Sequence, residues 1–191
     1  LHRNPLHRNL QSVKRHATHV TLLTRVLAPY KPHCRYIQRA RVSNDPHCGR
    51  IDGELAIGAS CYIDDTGHFN SVEFNLCYNQ LVYLLIAELV RTDALPALGG
   101  MTLEKYFERQ LPDVLIHDFS SKFRRPMRTD AFHGTVEIVD ATRRAHFALL
   151  HTRVSFKDDD GGSCEGAVSL AVVDREAAAA RARRAAASQR S

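Results

Sequence analysis

The sequence lacks several patterns that would assign it to common protein classes. Its five cysteines are an odd number and form no C-x-x-C pair, which argues against a disulfide framework and against a zinc site. The polar, basic start, residues 1–14, contains no apolar run of the length that a secretory signal needs. The histidines show no ligand spacing. We therefore expect a cytoplasmic protein with reduced thiols, and we predict no metal and no other cofactor.

The excess of basic residues is concentrated near the end of the chain. The formal net charge is +5 at pH 7, and residues 175–191 contribute five arginines against a single acid, Glu176. The rest of the chain is therefore close to neutral, whereas a nucleic-acid-binding domain carries its positive charge on the folded surface. We predict no nucleic-acid partner, and we interpret residues 175–191 as an Ala- and Arg-rich tail that is disordered or a solvated helix.

The composition is typical of one globular domain, with 44% apolar and 25% charged residues in a chain of 191. We place this domain at residues 14–174, after a flexible N-terminus at residues 1–13. The spacing of apolar residues predicts a helix over residues 13–27, followed by strands over residues 34–42 and 50–57.

The most apolar segment covers residues 71–90 and contains only two charged side chains. Its length would suit a transmembrane helix. Asn75 and Asn79 lie inside the segment, however, and no second span accompanies it, so we predict the buried central helix of a globular domain. Asn70 followed three residues later by Glu73 is a capping-box pattern, which sets the start of this helix.

After the central helix the pattern changes to strands. A short helix is predicted over residues 102–110, and four strands over residues 114–124, 132–141, 144–156 and 164–173. A long buried helix followed by an antiparallel meander is the order expected when one sheet curls around a helix. The predicted fold is therefore α+β, a single hot-dog domain with a long central helix wrapped by a curved antiparallel sheet.

Three sequence motifs give information that the spacing of apolar residues does not. The longest, Y-I-D-D-T-G-H-F-N-S-V-E-F-N-L-C-Y-N-Q-L-V-Y, covers residues 62–83. The others are L-A-P-Y, which ends at Tyr30 and is followed by C-R-Y at residues 34–36, and S-S-K-F-R-R-P at residues 120–126. Together they resemble the FcoT-type fatty acyl thioesterases of actinobacteria. The resemblance implies a fatty acyl thioester substrate on a phosphopantetheine arm, of acyl carrier protein or of coenzyme A. The fold further implies a homo-oligomer.

By motif position, the resemblance implies a polar site made of Tyr30, Tyr62, Asn70 and Asn79. Phenols and amides can orient an attacking group and support the thioester oxygen on which negative charge develops. Each residue also has a structural interpretation. Asn70 is a good helix cap, Ser or Thr side chains of the sheet could satisfy Asn79, and the tyrosines could be core aromatics.

Other candidates for the chemistry lie close to these residues. His68 is a candidate general base, because the unperturbed pKa of a histidine is near neutral. Alternatively, its side chain only anchors its loop. Glu73 is favoured for capping alone. A nucleophile at Cys61 or Cys77 has no clear partner base and no support from the resemblance.

The basic residues Lys122, Arg124 and Arg125, with Arg128 close by in the sequence, form a cluster with two interpretations. The cluster is either a solvated strand edge or a patch that binds the acyl donor. Coenzyme A and the phosphopantetheine arm carry phosphates, and carrier proteins are acidic, so such a patch would attract either donor. We predict that these three residues bind the substrate.

Three functions remain open on the sequence. Hydrolysis of long-chain acyl thioesters is the founding activity of the resembled family. Its members in isonitrile lipopeptide pathways instead add glycine to the β-carbon of a 2-enoyl thioester on carrier protein, and a 3-(carboxymethylamino) fatty acid is then released. Addition suits a site of phenols and amides without a strong base, so it is our first prediction. A non-catalytic hot-dog protein that binds acyl groups or nucleic acid is the third.

Overall fold

The computed structural model describes residues 15–17, 20–44, 49–64, 67–175, 179 and 183. The flexible N-terminus predicted at residues 1–13 lies outside these residues. So does the predicted tail, residues 175–191, apart from the three positions just given.

Strands in the described part of the chain form one antiparallel sheet in the order β1-β2-β3-β5-β6-β7-β4. Their bounds are β1 Arg15–Ala17, β2 Ile37–Asn44, β3 Gly49–Leu55, β4 Val114–Arg125, β5 Phe132–Arg143, β6 Phe147–Lys157 and β7 Ser163–Val173. The chain therefore leaves the sheet after β3 and returns at the far edge as β4. The connection between these strands includes the central helix.

The helices are α1 Val20–Leu27, α2 Ser71–Arg91 and α3 Leu103–Arg109. The long helix α2 starts where the sequence predicted it, because both halves of the capping box form between Asn70 and Glu73. Its central side chains are fully buried, among them Leu84, Leu85 and Ile86 at 0% exposure. Among the described residues, no helix has the length and apolar character needed to cross a membrane.

Glycines in the strands allow the sheet to approach α2 closely. A Cβ atom at Gly134 would lie 2.6 Å from the ring of Phe156 and 2.9 Å from a methyl group of Leu81. At Gly53 it would lie 2.7 Å from another methyl group of Leu81. The helix therefore lies directly on backbone at these two strands.

The strand β6 confirms the alternation predicted from the sequence. One face is buried against α2, and its residues are Ala148, Leu150, Thr152, Val154 and Phe156. Because one curved antiparallel sheet covers a long central helix in this way, the fold is the predicted α+β hot-dog domain.

The helix predicted over residues 13–27 was wrong in its first part. The helix begins at Val20, and Arg15–Ala17 is a strand whose Arg15 pairs with Ser43 of β2. The apolar residues that suggested a helix all lie within residues 20–27, and the polar residues before them add an edge strand to the sheet instead.

Two strand boundaries were also predicted too early. The strand predicted from residue 34 begins at Ile37, because Pro32–Cys34 forms a turn of 3-10 helix. The strand predicted from residue 144 begins at Phe147, because the Arg144 N–H donates to the Phe147 carbonyl and closes the turn after β5.

Candidate active site

The N-terminus of α2 brings two of the predicted site residues into direct contact. The side-chain N–H of Asn70 donates to the hydroxyl of Tyr62 at 2.9 Å. Its Oδ1 accepts from the backbone N–H groups of Val72, at 2.8 Å, and Glu73, at 3.5 Å. Because the helix cap requires Oδ1 as an acceptor, the amide orientation is fixed and Nδ2 must face Tyr62.

The hydroxyl of Tyr62 is available to a ligand. Its side chain is 48% exposed. Since its oxygen already accepts from Asn70, its own O–H remains to donate. No acceptor for that proton is found among the residues that the structure describes. The pair therefore presents an oriented O–H donor at the helix N-terminus.

A buried carboxylate links the two segments that carry this pair. Glu73 is 1% exposed. Its Oε2 accepts from the backbone N–H of Asn70 at 2.9 Å, and its Oε1 accepts from the hydroxyl of Ser60 at 3.3 Å. Ser60 comes two residues before Tyr62, so Glu73 holds the Tyr62 segment against the start of α2.

A groove of about 480 Å³ opens beside the same helix end. It lies between the start of α2 and the end of β4, and its lining residues are His68, Phe69, Asn70, Ser71, Phe123, Arg124, Arg125 and Pro126. The predicted candidate His68 therefore belongs to this groove. Three apolar residues and two arginines line it, so it suits a ligand with an apolar part and a negative charge.

The three residues of the basic cluster do not all line the groove at α2, and their binding of the substrate stays a prediction. The pairing register of β4 with β7 shifts between Phe123 and Arg125, which leaves Arg124 as the extra residue. Arg124 forms an ion pair of 2.5 Å with Glu165. Lys122 lines a different groove, on the solvent-facing side of the sheet. Only Arg124 and Arg125 border the groove at α2.

Of the other two predicted residues, Asn79 lies further along α2, and Tyr30 follows α1 and packs against the core. Asn79 comes nine residues after Asn70, a distance of ~13 Å along a helix axis. Burial raises the pKa of the Tyr30 hydroxyl, and nearby Tyr83 and Cys77 raise it further. The structure thus brings Tyr62 and Asn70 into contact, and within the described residues it shows no hydrogen bond from either of them to Tyr30 or Asn79.

The surroundings of Asn79 differ from those predicted. The side chain is only half-buried, and it donates to Oδ1 of Asn75, one turn earlier, at 3.5 Å. No sheet hydroxyl satisfies it within the described residues, because position 79 belongs to a partly exposed stripe of α2. The buried amide that the sequence suggested is instead Gln80, which accepts from the Tyr36 N–H at 2.9 Å and donates to the Cys34 carbonyl at 2.7 Å.

The thiols are poor candidates for a nucleophile. Burial raises the pKa of Cys61 and raises that of Cys77 much further, so both are protonated at neutral pH. Across the described ranges, no three His, Cys, Asp or Glu side chains lie close enough together to hold a metal ion.

Sequence reasoning missed two contributors to this site. Ser60 carries no motif signal of its own, and its role depends on the position of Glu73. Phe123 lies inside the S-S-K-F-R-R-P motif, of which only the basic residues were predicted to bind the substrate. Its ring packs 5.9 Å from that of Phe74 and forms part of the groove wall.

Comparison with known proteins identifies the family. The chain matches the FcoT-like thioesterase domain over residues 25–172. It is 44% identical over 162 residues to a protein of Streptomyces coeruleorubidus named (2E)-enoyl-[ACP] glycyltransferase, covering 82% of this chain and 98% of that protein. A protein of Mycobacterium marinum with the same name is 37% identical over 177 residues, covering 90% and 95%. These relatives are enzymes, and the chain belongs to the family of FcoT-like thioesterase domains.

Proposed function

We propose that this chain is an enzyme that adds glycine to the β-carbon of a 2-enoyl thioester on acyl carrier protein and then releases the 3-(carboxymethylamino) fatty acid. The observation that supports this most directly is the Asn70–Tyr62 pair, which presents an exposed O–H donor at 2.9 Å from its orienting amide. The name of the relatives, (2E)-enoyl-[ACP] glycyltransferase, supports an enoyl thioester on acyl carrier protein as the acyl donor and glycine as the amine.

The proposed addition moves electrons toward the oxygen that the Tyr62 hydroxyl supports. The lone pair of the glycine nitrogen forms a bond to the β-carbon, the carbon–carbon π pair shifts toward the thioester carbonyl, and an enolate develops. A hydrogen bond to that oxygen is stronger in the transition state than in the substrate, which is the condition for catalysis. The α-carbon then takes a proton and the nitrogen loses one, so the adduct contains all atoms of both reactants.

Release consumes one water molecule. Water attacks the same polarised carbonyl, the carbon–sulfur bond breaks, and the carrier thiol leaves with a proton. We assign Asn70 and Tyr62 to carbonyl polarisation in both steps. His68 is the candidate group for moving protons, because it lines the same groove. Tyr30, which follows α1, and Asn79, further along α2, are assigned to the path of the acyl chain and to positioning of water.

The wider setting follows from the resembled glycine-adding members. We place the reaction in isonitrile lipopeptide biosynthesis in the cytoplasm, and we expect the enzyme to work as a homo-oligomer. Coenzyme A thioesters are the alternative donors, and plain hydrolysis is the alternative reaction.

Mass spectrometry of a 2-enoyl carrier-protein substrate tests the proposal. The protein is incubated with and without ¹⁵N-glycine, and both the carrier-bound species and the released acid are recorded. We expect a glycine-dependent adduct that carries the label. Formation of the free acid without glycine would instead show that the chain is a plain thioesterase. An unchanged substrate would exclude both glycine addition and hydrolysis for this substrate class.

The variant Tyr62→Phe tests the role of the hydroxyl. Loss of one donor to a developing oxyanion lowers the turnover number by ~100-fold or more. The fold should not change, because the side chain is half exposed and its hydroxyl contacts only Asn70 among the described residues. A Tyr62→Phe protein with the native rate would remove Tyr62 from the mechanism.

A further inference from the structure

We propose that Arg125 binds the carboxylate of the incoming glycine, an inference that rests on the proposed function and names a substrate subsite within it. The first observation is the position of this residue. Arg125 lines the groove at the start of α2 together with Asn70 and His68. The register of β4 with β7 shifts between Phe123 and Arg125, so a bulge lies directly before this residue.

The second observation is that the charge of Arg125 is not neutralised. Its side chain makes no hydrogen bond or ion pair with any residue in the described ranges. The adjacent Arg124 is paired with Glu165 at 2.5 Å.

Two of the three acids of the neighbouring β6–β7 turn are also occupied, and the third, Asp159, forms no ion pair with Arg125. Asp160 pairs with Arg128 at 3.0 Å. Asp158 accepts backbone N–H groups from Arg128, Asp160 and Gly162 at 2.7 to 3.0 Å. A guanidinium left without an acid beside an apolar groove is suited to a ligand carboxylate, which it can bind through two parallel hydrogen bonds.

Size favours the carboxylate of an amino acid over the phosphate of the donor arm. A groove of about 480 Å³ is roughly 8 Å across if its dimensions are equal. In the addition transition state about five bonds separate the thioester carbon from the glycine carboxylate, which at ~3.8 Å per three bonds spans ~6 Å. About thirteen bonds separate the thioester sulfur from the phosphate, or ~16 Å. A carbonyl placed beside Asn70 would therefore put the glycine carboxylate within a distance comparable to the groove width, and the donor phosphate at about twice that distance.

Steady-state kinetics of Arg125→Gln, with Arg153→Gln as the matched control, test the subsite. A charged hydrogen-bonding pair of this kind corresponds to about a tenfold effect. We expect the glycine KM of Arg125→Gln to rise about tenfold while its KM for the enoyl carrier protein stays within about twofold. The native enzyme should prefer glycine to glycinamide, and Arg125→Gln should lose this preference. Arg153→Gln, which changes an exposed arginine of the other groove, should keep both native values.

The outcomes separate this inference from the proposed function. An unchanged glycine KM in Arg125→Gln, with the native enzyme active, would overturn the subsite alone. A rise in the KM for the enoyl carrier protein instead would assign Arg125 to the donor phosphate and overturn it as well. Comparison of enoyl-pantetheine with enoyl-phosphopantetheine provides a second check, because only a phosphate role makes the Arg125→Gln defect depend on the phosphate. Absence of any adduct with the native protein would overturn the proposed function and this inference together.

The preference for glycine over glycinamide keeps the test informative if Arg125→Gln does not fold. It is measured on the native protein, and equal use of the two amines would by itself exclude a carboxylate subsite. Arg125→Lys, which retains the charge but loses the two parallel hydrogen bonds, should give a glycine KM between those of the native protein and Arg125→Gln.

Discussion

Asn70 combines two separable interactions at one position. Its carbonyl oxygen caps α2, and its amide N–H groups orient the hydroxyl of Tyr62. A capping role and a role in the site are therefore not alternatives here, because the amide has an acceptor for the helix and a donor for the phenol. Asparagine suits this position because its side chain provides both the oxygen that caps the helix and the N–H that contacts Tyr62.

Asn70→Asp should separate the two interactions. A carboxylate still caps the helix and is favoured at its N-terminus, so the unfolding free energy should change by less than about 0.5 kcal/mol. The donor to Tyr62 is lost, and the phenol turns its O–H toward the new carboxylate. We therefore expect the addition rate to fall by ~100-fold, measured by product formation under saturating substrates.

Asn70→Ala is the control for this comparison. It removes both interactions, so it should lose a similar amount of activity and also about 1 kcal/mol of stability. A native addition rate in Asn70→Asp, in a protein that unfolds normally, would show that the contact with Tyr62 is incidental.

Cys164 should make the stability of the fold depend on alkaline pH. Burial raises the pKa of this thiol to about 12, from an ordinary value near 9. Because the unfolded chain ionises first, the stabilisation is complete below about pH 9 and is lost as the pH rises toward 12. Urea unfolding between pH 8 and pH 10 should show a falling free energy, and Cys164→Ala should show a shallower fall. Equal slopes for the two proteins would contradict this assignment.

At the scale of elements, sequence patterns correctly predicted the features that depend on residues close together in the chain. The start of α2 followed from the capping box, and the buried face of β6 followed from strict alternation. The strand β1 could not be predicted, because Arg15–Ala17 becomes a strand only through its pairing with β2. The proximity of Tyr62 and Asn70 was likewise predicted only from the family resemblance of the motif, and not from the spacing of apolar residues.

The distribution of Lys122, Arg124 and Arg125 over two grooves also depends on pairing between distant strands. Whether Arg124 and Arg125 belong with Lys122 depends on the register of β4 against β7, and the bulge that changes this register has no signature in the sequence. The half-buried position of Asn79 also depends on which side of α2 the sheet leaves open.

Gly134→Ala should destabilise the domain. The added methyl group would lie 2.6 Å from Phe156 and 2.9 Å from Leu81, both in the packed layer between β5 and α2. Overpacking of this kind costs about 1–3 kcal/mol of unfolding free energy, measured by chemical denaturation. Gly58→Ala is the matched control, because no atom lies within 4 Å of the added methyl group. Equal effects of the two variants would show that the helix can move away from the sheet.

At the scale of the whole molecule, the sheet ends in β4 with one side unpaired in the described chain. This strand covers Val114–Arg125, and its exposed side chains include the large apolar residues Leu115, Ile116 and Phe123. A long edge strand with exposed apolar side chains favours pairing with another strand. A second copy of the chain would extend the sheet there.

Lysine substitutions in β4 should therefore reduce the oligomeric state. We expect the native protein to have at least twice the monomer mass by light scattering, and the double variant Leu115→Lys and Ile116→Lys to shift toward monomer. Val139→Lys should keep the native mass, because Val139 is similarly exposed, at 40%, but lies on β5. A native protein that is monomeric at micromolar concentration would contradict the proposal.

The position of β4 also affects how the molecule reaches its native state. The meander of β5, β6 and β7 joins neighbours in sequence, whereas Leu55 must find Phe132 and Val114 must find Val172 across long stretches of chain. Closure of such loops is slow compared with hairpin formation. The groove needs the docked α2 and the docked β4 together. During refolding, activity should therefore return with the slowest phase, after most of the secondary structure has formed.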